Sequence, residues 1–319
     1  MSRIKKKKNQ VKHISIEADQ ANRRIDNFLT SQLKGVPKAR IYQMLRRGEV
    51  RINGGRVKQD YRLQEGDSLR LPPVALADVP TPKTPPERLV TLVKRSILYE
   101  DDKLLVINKP SGIAVHGGSG LAFGIIGILR HIYQNDGDLQ LVHRLDRETS
   151  GILLLAKNHA CLTKIHDQLK ANSVKKVYRA LLIGNLSLPF IEVDKPLKKN
   201  TELSGERMVR VSDAGKAAFT RFELQKNYKG VCLVDVEIAT GRTHQIRVHA
   251  KTIGHPVAGD DKYGDKEENK RLKQRGLKRL FLHAALMELP EYRGKKALTI
   301  KAPLPEDLSH FLDDLSATP

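Results

Sequence analysis

The segment HRLDRETSG, residues 143–151, holds the densest set of side chains suited to chemistry. Apolar runs lie on both sides of it, so it is predicted to be a charged loop between two buried strands, where a rigid sheet can present catalytic groups. Arginines flank Asp146, and nearby positive charge keeps a carboxylate ionised even where burial favours protonation. The pattern predicts a catalytic carboxylate. The alternative is a surface connection with ordinary ion pairs.

A serine hydrolase would need a different arrangement of the same loop. Ser150, His143 and Asp146 supply the three residue types of a catalytic triad. All three lie in one short loop, however, and nothing resembles the strand-turn-helix elbow that presents a nucleophilic serine. This alternative is therefore disfavoured.

Histidines elsewhere in the chain suggest a metal site only at first sight. Their spacings form no compact ligand set and no cysteine pair accompanies them, so we expect structural hydrogen bonds instead. The histidines in question are His143, His244, His249, His255 and His283. The segment GGSG at 117–120 lacks the Lys-Ser/Thr pair of a nucleotide-phosphate loop and is expected to form a tight turn. No metal site is predicted.

The elements that must position the loop follow from the apolar patterning. From Ile97 to the C-terminus, β-forming runs alternate with occasional helices. A helix capped by Thr243 and ended by Gly254 is expected after the fourth of the predicted strands. Those strands are Leu104–Ile107, Gly151–Ala156, Tyr178–Ile183, Val231–Ile238 and Leu298–Ile300. We predict an α+β catalytic domain over residues 97–319 with a mixed, largely antiparallel sheet.

A smaller basic unit is predicted over residues 14–72. Two amphipathic helices come first, the second opening at Pro37 and ending at Gly48, and a hairpin with the turn Asn53-Gly54 follows. Basic side chains cluster around the second helix, where they are expected to contact a nucleic-acid backbone. They are Lys38, Arg40, Arg46 and Arg47. The order helix, helix, hairpin resembles the ribosomal protein S4-like RNA-binding domain.

The two ends of this unit carry their own signals. Residues 1–13 include four consecutive lysines and few apolar groups, which predicts a disordered basic arm or a solvated tail. Six prolines occur from Pro72 to Pro86, both included, and residues 73–96 are predicted to be an extended, semi-rigid linker.

Composition points to a polyanionic partner. The 57 Lys and Arg residues against 36 Asp and Glu give a formal net charge of +21, which favours nucleic acid. An anionic membrane is the alternative, but no apolar run approaches the roughly 18 residues that span a bilayer. The only cysteines, Cys161 and Cys232, lie in apolar runs and are expected to be free thiols. We expect a soluble cytoplasmic protein with no membrane partner and no signal peptide.

The loop sequence HRLDRETSG resembles the signature of the RluA family of pseudouridine synthases, in which HRLD, two variable residues and TSG follow one another. Further segments resemble family blocks in the same order, namely NKPSG at 108–112, KVYRA at 176–180, GRTHQIRVH at 241–249 and LHA at 282–284. The likeness covers the chain from Ile97 onward. The N-terminal unit and the segment HGGSG at 116–120 are similar to the corresponding parts of the family branch that modifies large-subunit (23S) ribosomal RNA.

The resemblance implies the pseudouridine synthase fold and an isomerase that needs neither metal nor cofactor. The bond from ribose to uracil nitrogen is cleaved, the base turns while it stays bound, and it is rejoined through a ring carbon. Asp146 is implied as the catalytic carboxylate, acting either as nucleophile on the sugar or as base on the adjacent sugar carbon. The uridine must leave the stacked RNA, and Arg144 is implied to fill the gap.

Other residues acquire roles by the same resemblance. Tyr178 is implied to stack on the flipped uracil and to offer a hydroxyl for proton transfer, and Arg247 is implied to pair with Asp146. Arg242 is expected either to take that pairing role or to contact phosphate. A core aromatic at position 178 and an exposed helix charge at 247 are the structural alternatives. Low aromatic content, 5%, predicts RNA binding through phosphate and shape contacts.

The predicted partner is large-subunit ribosomal RNA, either naked or in an assembly intermediate, and a monomer is expected. A non-catalytic RNA-binding assembly factor on a synthase scaffold is the alternative function. The presence of Asp146, Tyr178 and Arg247 together favours the enzyme.

Overall fold

The computed structural model of the protein describes residues 11–33, 35–73, 84–117, 123–134, 139–201, 207–294 and 297–317. By the contacts within it, the chain divides into two compact units, residues 1–84 and 85–319. Parts of three sequence predictions lie outside the described residues: the basic arm at 1–10, the proline-rich stretch at 74–83, and Gly118–Gly120 of the glycine-rich turn.

The first unit packs two helices against a three-stranded antiparallel sheet of order β1-β3-β2. Its elements are β1 (Lys12–Ser15), α1 (Ile25–Gln32), α2 (Lys38–Arg47), β2 (Arg51–Ile52) and β3 (Ser68–Leu71). The predicted order of helix, helix and hairpin is confirmed. Asn53 and Gly54 turn with φ of 50° and 78°, and Gly48 ends α2 with φ of 68°. β1 adds a strand at residues 12–15, which starts inside the predicted arm.

The second unit contains one large sheet, a separate hairpin and six helices among the described residues. Its strands are β4 (Ile97–Glu100), β5 (Leu104–Lys109), β6 (Gln140–Leu141), β7 (Ser150–Ala156), β8 (Lys175–Ile183), β9 (Phe190–Asp194), β10 (Leu197–Thr201), β11 (Arg207–Val211), β12 (Phe219–Tyr228), β13 (Val231–Ile238), β14 (Leu282–Leu289) and β15 (Leu298–Lys301). Its helices are α3 (Glu87–Arg95), α4 (Ile125–Ile132), α5 (His159–Lys170), α6 (Gln245–Thr252), α7 (Lys266–Gln274) and α8 (Glu306–Ala317).

The large sheet has the order β4-β5-β7-β14-β8-β13-β12-β9, with β6 also paired to β7 and β15 to β14. Its strand pairs are antiparallel except for β7 and β14, which are parallel. β10 and β11 form the separate hairpin. The predicted α+β class with a mixed, largely antiparallel sheet is confirmed, and all five predicted strands are present.

The packing of the core explains why β7 is largely apolar. β7 is buried at every position, because helices pack onto the sheet. Val93 of α3, Ile128 of α4 and Ile165 of α5 belong to one buried cluster with β5 and β7. Across the described residues, no helix is both long enough and apolar enough to cross a membrane.

Gly151 allows β7 to approach β14 closely. It has φ of +112°, and a Cβ there would lie 2.3 Å from the carbonyl oxygen of Ala284. A glycine is therefore required next to the loop that carries Asp146. The close approach joins that loop to the centre of the sheet.

Helix α3 lies inside the stretch that the sequence assigned to a linker, residues 73–96. Val90 and Val93, one helical turn apart, are buried in the core of the second unit. Pro86 stands at the N-cap of the helix, where its missing N–H costs nothing. The prolines thus precede a helix here, and the division into arm, S4-like unit, linker and catalytic domain stays a proposal.

Candidate active site

Asp146 lies on the connection between β6 and β7, residues 142–149. A neighbouring loop, residues 110–113, is hydrogen-bonded to it in both directions. The backbone N–H of Gly112 donates to the carbonyl of Arg147 (3.0 Å), and Arg147 Nε donates to the carbonyl of Gly112 (2.9 Å). These bonds fix the backbone next to the carboxylate.

Lys109, at the end of β5, joins the same two loops. Its side chain is fully buried, and its ammonium group donates to the carbonyls of Pro110 (2.7 Å), Ile113 (2.9 Å) and Arg147 (3.0 Å). Burial lowers its pKa to about 7, because desolvation penalises the charged form. No role was predicted for Lys109, although the segment NKPSG includes it.

The geometry around Ser150 contradicts the hydrolase alternative. Ser150 is fully buried, and its Oγ lies 3.0 Å from Nδ1 of His283 rather than beside His143. Nε2 of His283 faces the carbonyl of Ala302 at 3.3 Å and must carry the proton, so Nδ1 accepts from the serine. The serine and histidine therefore form a structural pair inside the core.

Side chains from several elements meet at one cavity beside Asp146. Tyr178 comes from β8, Arg247 from α6, Arg242 from the turn after β13, and Arg144 from the loop of Asp146 itself. The cavity has a volume of about 70 Å³ and shares these residues with a wider groove of about 1770 Å³. Lysine and arginine outnumber aspartate and glutamate along that groove, which suits a polyanion.

Arg247 lies between two carboxylates. Its Nε and Nη2 each donate to Asp260 at 2.7 Å, and its Nη1 lies 3.6 Å from Oδ2 of Asp146. The Asp260 side chain is 0% exposed. Burial alone would raise the pKa of Asp260, but the hydrogen bonds and charge of Arg247 hold it below its ordinary value. Arg247 is thus charged and oriented by Asp260, with one nitrogen left for Asp146.

Tyr178 lines the cavity and is half-buried. Burial, with the negative charge of Asp146 adding to it, raises the pKa of its phenol well above 10. None of the described residues hydrogen-bonds its hydroxyl group. The residue therefore presents a neutral hydroxyl and a ring beside the carboxylate.

The start of α6 differs from the prediction that Thr243 is its cap. The helix begins at Gln245, after His244 with φ of 54°, and no side chain in the described part of the chain caps it. The reason is that Oε1 of Gln245 accepts from the backbone N–H of Arg242 (3.0 Å) and from the Thr240 hydroxyl (2.7 Å), which folds the turn back on itself. Arg242 is exposed and its Nε donates to the carbonyl of Ala217, so Arg247 is the arginine of the two that reaches Asp146.

All five histidines considered for a metal site make hydrogen bonds within the fold. His143 Nε2 accepts from the backbone N–H of Leu154, and burial lowers its pKa to about 4. His249, His255 and His283 bond to backbone carbonyls and hydroxyl groups. His244 differs in that it also faces Asp146 at 3.8 Å.

The basic residues predicted around α2 fall into two groups. Lys38, Arg46 and Arg47 are exposed. Arg40 is half-buried and donates through two nitrogens to Glu49, at 3.2 and 2.8 Å. Three of the four predicted contacts are thus open to a polyanion.

Comparisons with known proteins agree with this arrangement. A family model described as RNA pseudouridylate synthase matches residues 103–252, and one described as S4 domain matches residues 23–69. Ribosomal large subunit pseudouridine synthase C of Pasteurella multocida (strain Pm70) is 48% identical over 306 residues, 96% of this chain and 94% of that protein. The enzyme of the same name from Escherichia coli (strain K12) is 48% identical over 308 residues, 96% and 97% of the two chains. The chain belongs to the pseudouridine synthase family.

A solved pseudouridine synthase shares the fold. Human RNA Pseudouridylate Synthase Domain Containing 4 matches with a TM-score of 0.59 and 28% identity, covering 72% of this chain and 96% of that one. The pseudouridine synthase fold, the isomerase class, the S4-type domain and the family resemblance are confirmed.

Besides Lys109, sequence reasoning gave no role in the site to Asp260 or Tyr263, and it considered His244 only as a metal ligand. Asp260 lies 13 residues beyond Arg247, directly after the apolar pair Val257-Ala258 and a glycine. An acidic residue after an apolar run is a weak signal for a buried carboxylate. Only the fold shows which arginine it meets.

Asp260→Asn is expected to destabilise the synthase by about 3 kcal/mol, because it leaves the buried guanidinium of Arg247 without its main counter-charge. Asp235→Asn is the matched control, since Asp235 also binds an arginine through both oxygens, at 3.0 and 3.3 Å, but at the surface. That change should cost less than about 1 kcal/mol. Urea denaturation measures both. Equal losses would contradict the importance of the buried pair.

Proposed function

We propose that this pseudouridine synthase isomerises specific uridines of large-subunit (23S) ribosomal RNA, with Asp146 as the carboxylate that starts the reaction. The strongest support is that Asp146, Tyr178 and Arg247 come from three elements to one cavity. Relatives 48% identical over 96% of this chain carry the name ribosomal large subunit pseudouridine synthase C, which supports the choice of RNA.

The proposed reaction is an isomerisation, so its atoms balance without a co-reactant. The bond from ribose C1′ to uracil N1 breaks, the base turns, and a bond from C1′ to C5 forms. The C5 proton is removed, and N1 ends with a proton. Asp146 acts as nucleophile at C1′ or as base at C2′, and both routes remain open. The reaction so written needs no metal and no cofactor.

The arginines of the site serve the RNA and the carboxylate. Arg247 orients Asp146 from a distance of 3.6 Å. Arg144 is exposed beside the cavity, and we assign it to the gap that the flipped uridine leaves in the stack. Arg242, exposed on the same rim, is assigned to phosphate.

The test is to incubate the purified protein with transcripts of large-subunit and small-subunit ribosomal RNA and to map pseudouridine in both. We expect product at a few positions of the large-subunit RNA and none in the small-subunit RNA. Binding of the large-subunit RNA without product would favour the assembly-factor alternative. Naked RNA and isolated precursor particles are compared in the same assay to identify the better substrate.

We further propose that the protein is a monomer that acts in the cytoplasm.

The S4-type domain is proposed to supply phosphate contacts through Lys38, Arg46 and Arg47. Replacing Arg46 and Arg47 together by glutamine should lower the slope of log Kd against log salt by about two, because each lost phosphate contact removes about one unit. Arg40→Gln is the control and should leave the slope unchanged, since Glu49 already binds Arg40. Filter binding at several salt concentrations measures the slopes. Identical slopes in all variants would contradict a phosphate-binding α2.

A further inference from the structure

His244 occupies a strained position next to the catalytic carboxylate. Its φ of 54° lies in the left-handed region, which residues other than glycine rarely adopt, although asparagine, aspartate and histidine are enriched there. Its Nε2 lies 3.8 Å from Oδ2 of Asp146, and its Nδ1 lies 2.8 Å from the hydroxyl oxygen of Tyr263. Backbone strain beside a reactive group is a reason to look for a function.

Tyr263 determines which ring nitrogen of His244 carries the proton. The Tyr263 oxygen already accepts the backbone N–H of Val209 at 2.9 Å. If His244 also donated to that oxygen, the hydroxyl proton of a residue only 3% exposed would meet no acceptor among the described residues. The favourable arrangement has the hydroxyl donating to Nδ1.

The imidazole therefore turns an N–H towards Asp146. Burial lowers the pKa of His244 below 6.5 despite the opposing charge of Asp146, so the ring is neutral at pH 7 with a single proton, on Nε2. Other charged groups that face it are Arg247, Lys262 and Asp260. A neutral donor holds the carboxylate without neutralising its charge.

Both contacts of Asp146 meet the same oxygen. Arg247 Nη1 lies 3.6 Å and His244 Nε2 lies 3.8 Å from Oδ2. Distances of this length in a free enzyme shorten when substrate is bound. With Oδ2 held from two sides, Oδ1 is left to face the ribose.

We propose that His244 is a positioning residue, whose Nε2–H, fixed by the hydroxyl of Tyr263, holds Oδ2 of Asp146 and presents Oδ1 to the substrate. This inference rests on the role proposed above for Asp146. It adds a chain of contacts from Val209 on β11 through Tyr263 and His244 to the carboxylate.

Two variants remove the contacts of the His244 and Tyr263 side chains without requiring a change in the backbone. His244→Asn tolerates the left-handed conformation but is too short to reach Asp146. Tyr263→Phe keeps the ring and removes the hydroxyl. Each should lower the single-turnover rate about 10- to 100-fold with RNA affinity unchanged, because small misplacements of a catalytic group have effects of this size. The double variant should be no slower than His244→Asn, since both act through one chain. The control is Tyr99→Phe, because the hydroxyl of Tyr99 binds Asp101 away from the cavity.

The pH dependence gives a readout that a purely structural role would not move. As the pH falls through the lowered pKa of His244, the imidazole gains a proton, and a second cation then joins Arg247 at the carboxylate. The wild-type rate should fall as this happens, and His244→Asn should lose that part of the decline. If the rate of His244→Asn declined at acid pH in the same way as the wild-type rate, the inference would be overturned.

The tautomer can be read without any assay of activity. Nitrogen-15 NMR of the histidine side chains in the full-length protein should show His244 with its proton on Nε2 at pH 7.5, and a mixture of tautomers in Tyr263→Phe. A proton on Nδ1 would overturn this inference and leave the proposed function intact. A wild-type protein that forms no pseudouridine, with the expected tautomer present, would instead contradict the proposed function and with it the positioning role.

Discussion

Asp146→Asn is expected to lower the rate of pseudouridine formation by about 10⁴-fold or more while RNA affinity changes by less than about twofold. Asparagine keeps the shape of the side chain but can neither attack the sugar nor take a proton from it. The fold should survive, because Arg247 stays paired with Asp260 at 2.7 Å when the charge on Asp146 is removed.

Glu148→Gln is the matched control for this change. Glu148 lies two residues away in the same loop, and its side chain is 48% exposed with Arg147 as its partner. It should keep the wild-type rate. Single-turnover assays at saturating enzyme measure the chemical step apart from RNA binding and product release. Substantial turnover by Asp146→Asn, with wild-type contamination excluded, would show that the reaction does not require the carboxylate of Asp146.

Tyr178→Phe is expected to bind RNA normally and to lower the single-turnover rate by at least about 100-fold, the usual size of a lost proton-transfer group. The raised pKa of Tyr178 keeps its hydroxyl protonated at working pH. A neutral phenol passes on a proton only if it gives up its own as it accepts another. We therefore propose that the hydroxyl relays a proton beside Asp146. Phenylalanine removes the hydroxyl while keeping the ring.

Tyr178→Leu separates the ring from the hydroxyl. It should lose the same chemistry and in addition weaken capture of the flipped uracil, since stacking on an aromatic face contributes about 1–3 kcal/mol per base. Binding of RNA and the single-turnover rate are measured for both variants. A phenylalanine variant with the wild-type rate would reduce Tyr178 to a stacking surface.

The strands and the reactive loop could be predicted from the sequence because their signals are local. The run Val231–Ile238 is a strand with the predicted bounds, since its apolar and β-branched residues suit a buried strand. Asp146 stood out because two arginines flank it within the same loop. The pairing of Arg247 with Asp146 came from the family resemblance, and the distance of 3.6 Å is consistent with it.

The rest of the site depends on contacts that sequence spacing does not reveal. Lys109 meets the carbonyl of Arg147, 38 residues away, and Ser150, at the end of the loop that carries Asp146, meets His283, 133 residues away. The turn before α6 differs from the predicted cap, because the helix begins only at Gln245, after His244 in the left-handed conformation. Helix α3 was not predicted, because the prolines that precede it favoured an extended linker.

The most direct test of the proposed function is a map of pseudouridine, at single-nucleotide resolution, in large-subunit ribosomal RNA from cells that lack this protein. We expect a few positions to lose pseudouridine, to regain it when the wild-type protein is supplied, and to stay unmodified when Asp146→Asn is supplied at the same level. Retention of every pseudouridine in the deficient cells, or equal restoration by the Asp146→Asn protein, would contradict an isomerase that acts through Asp146.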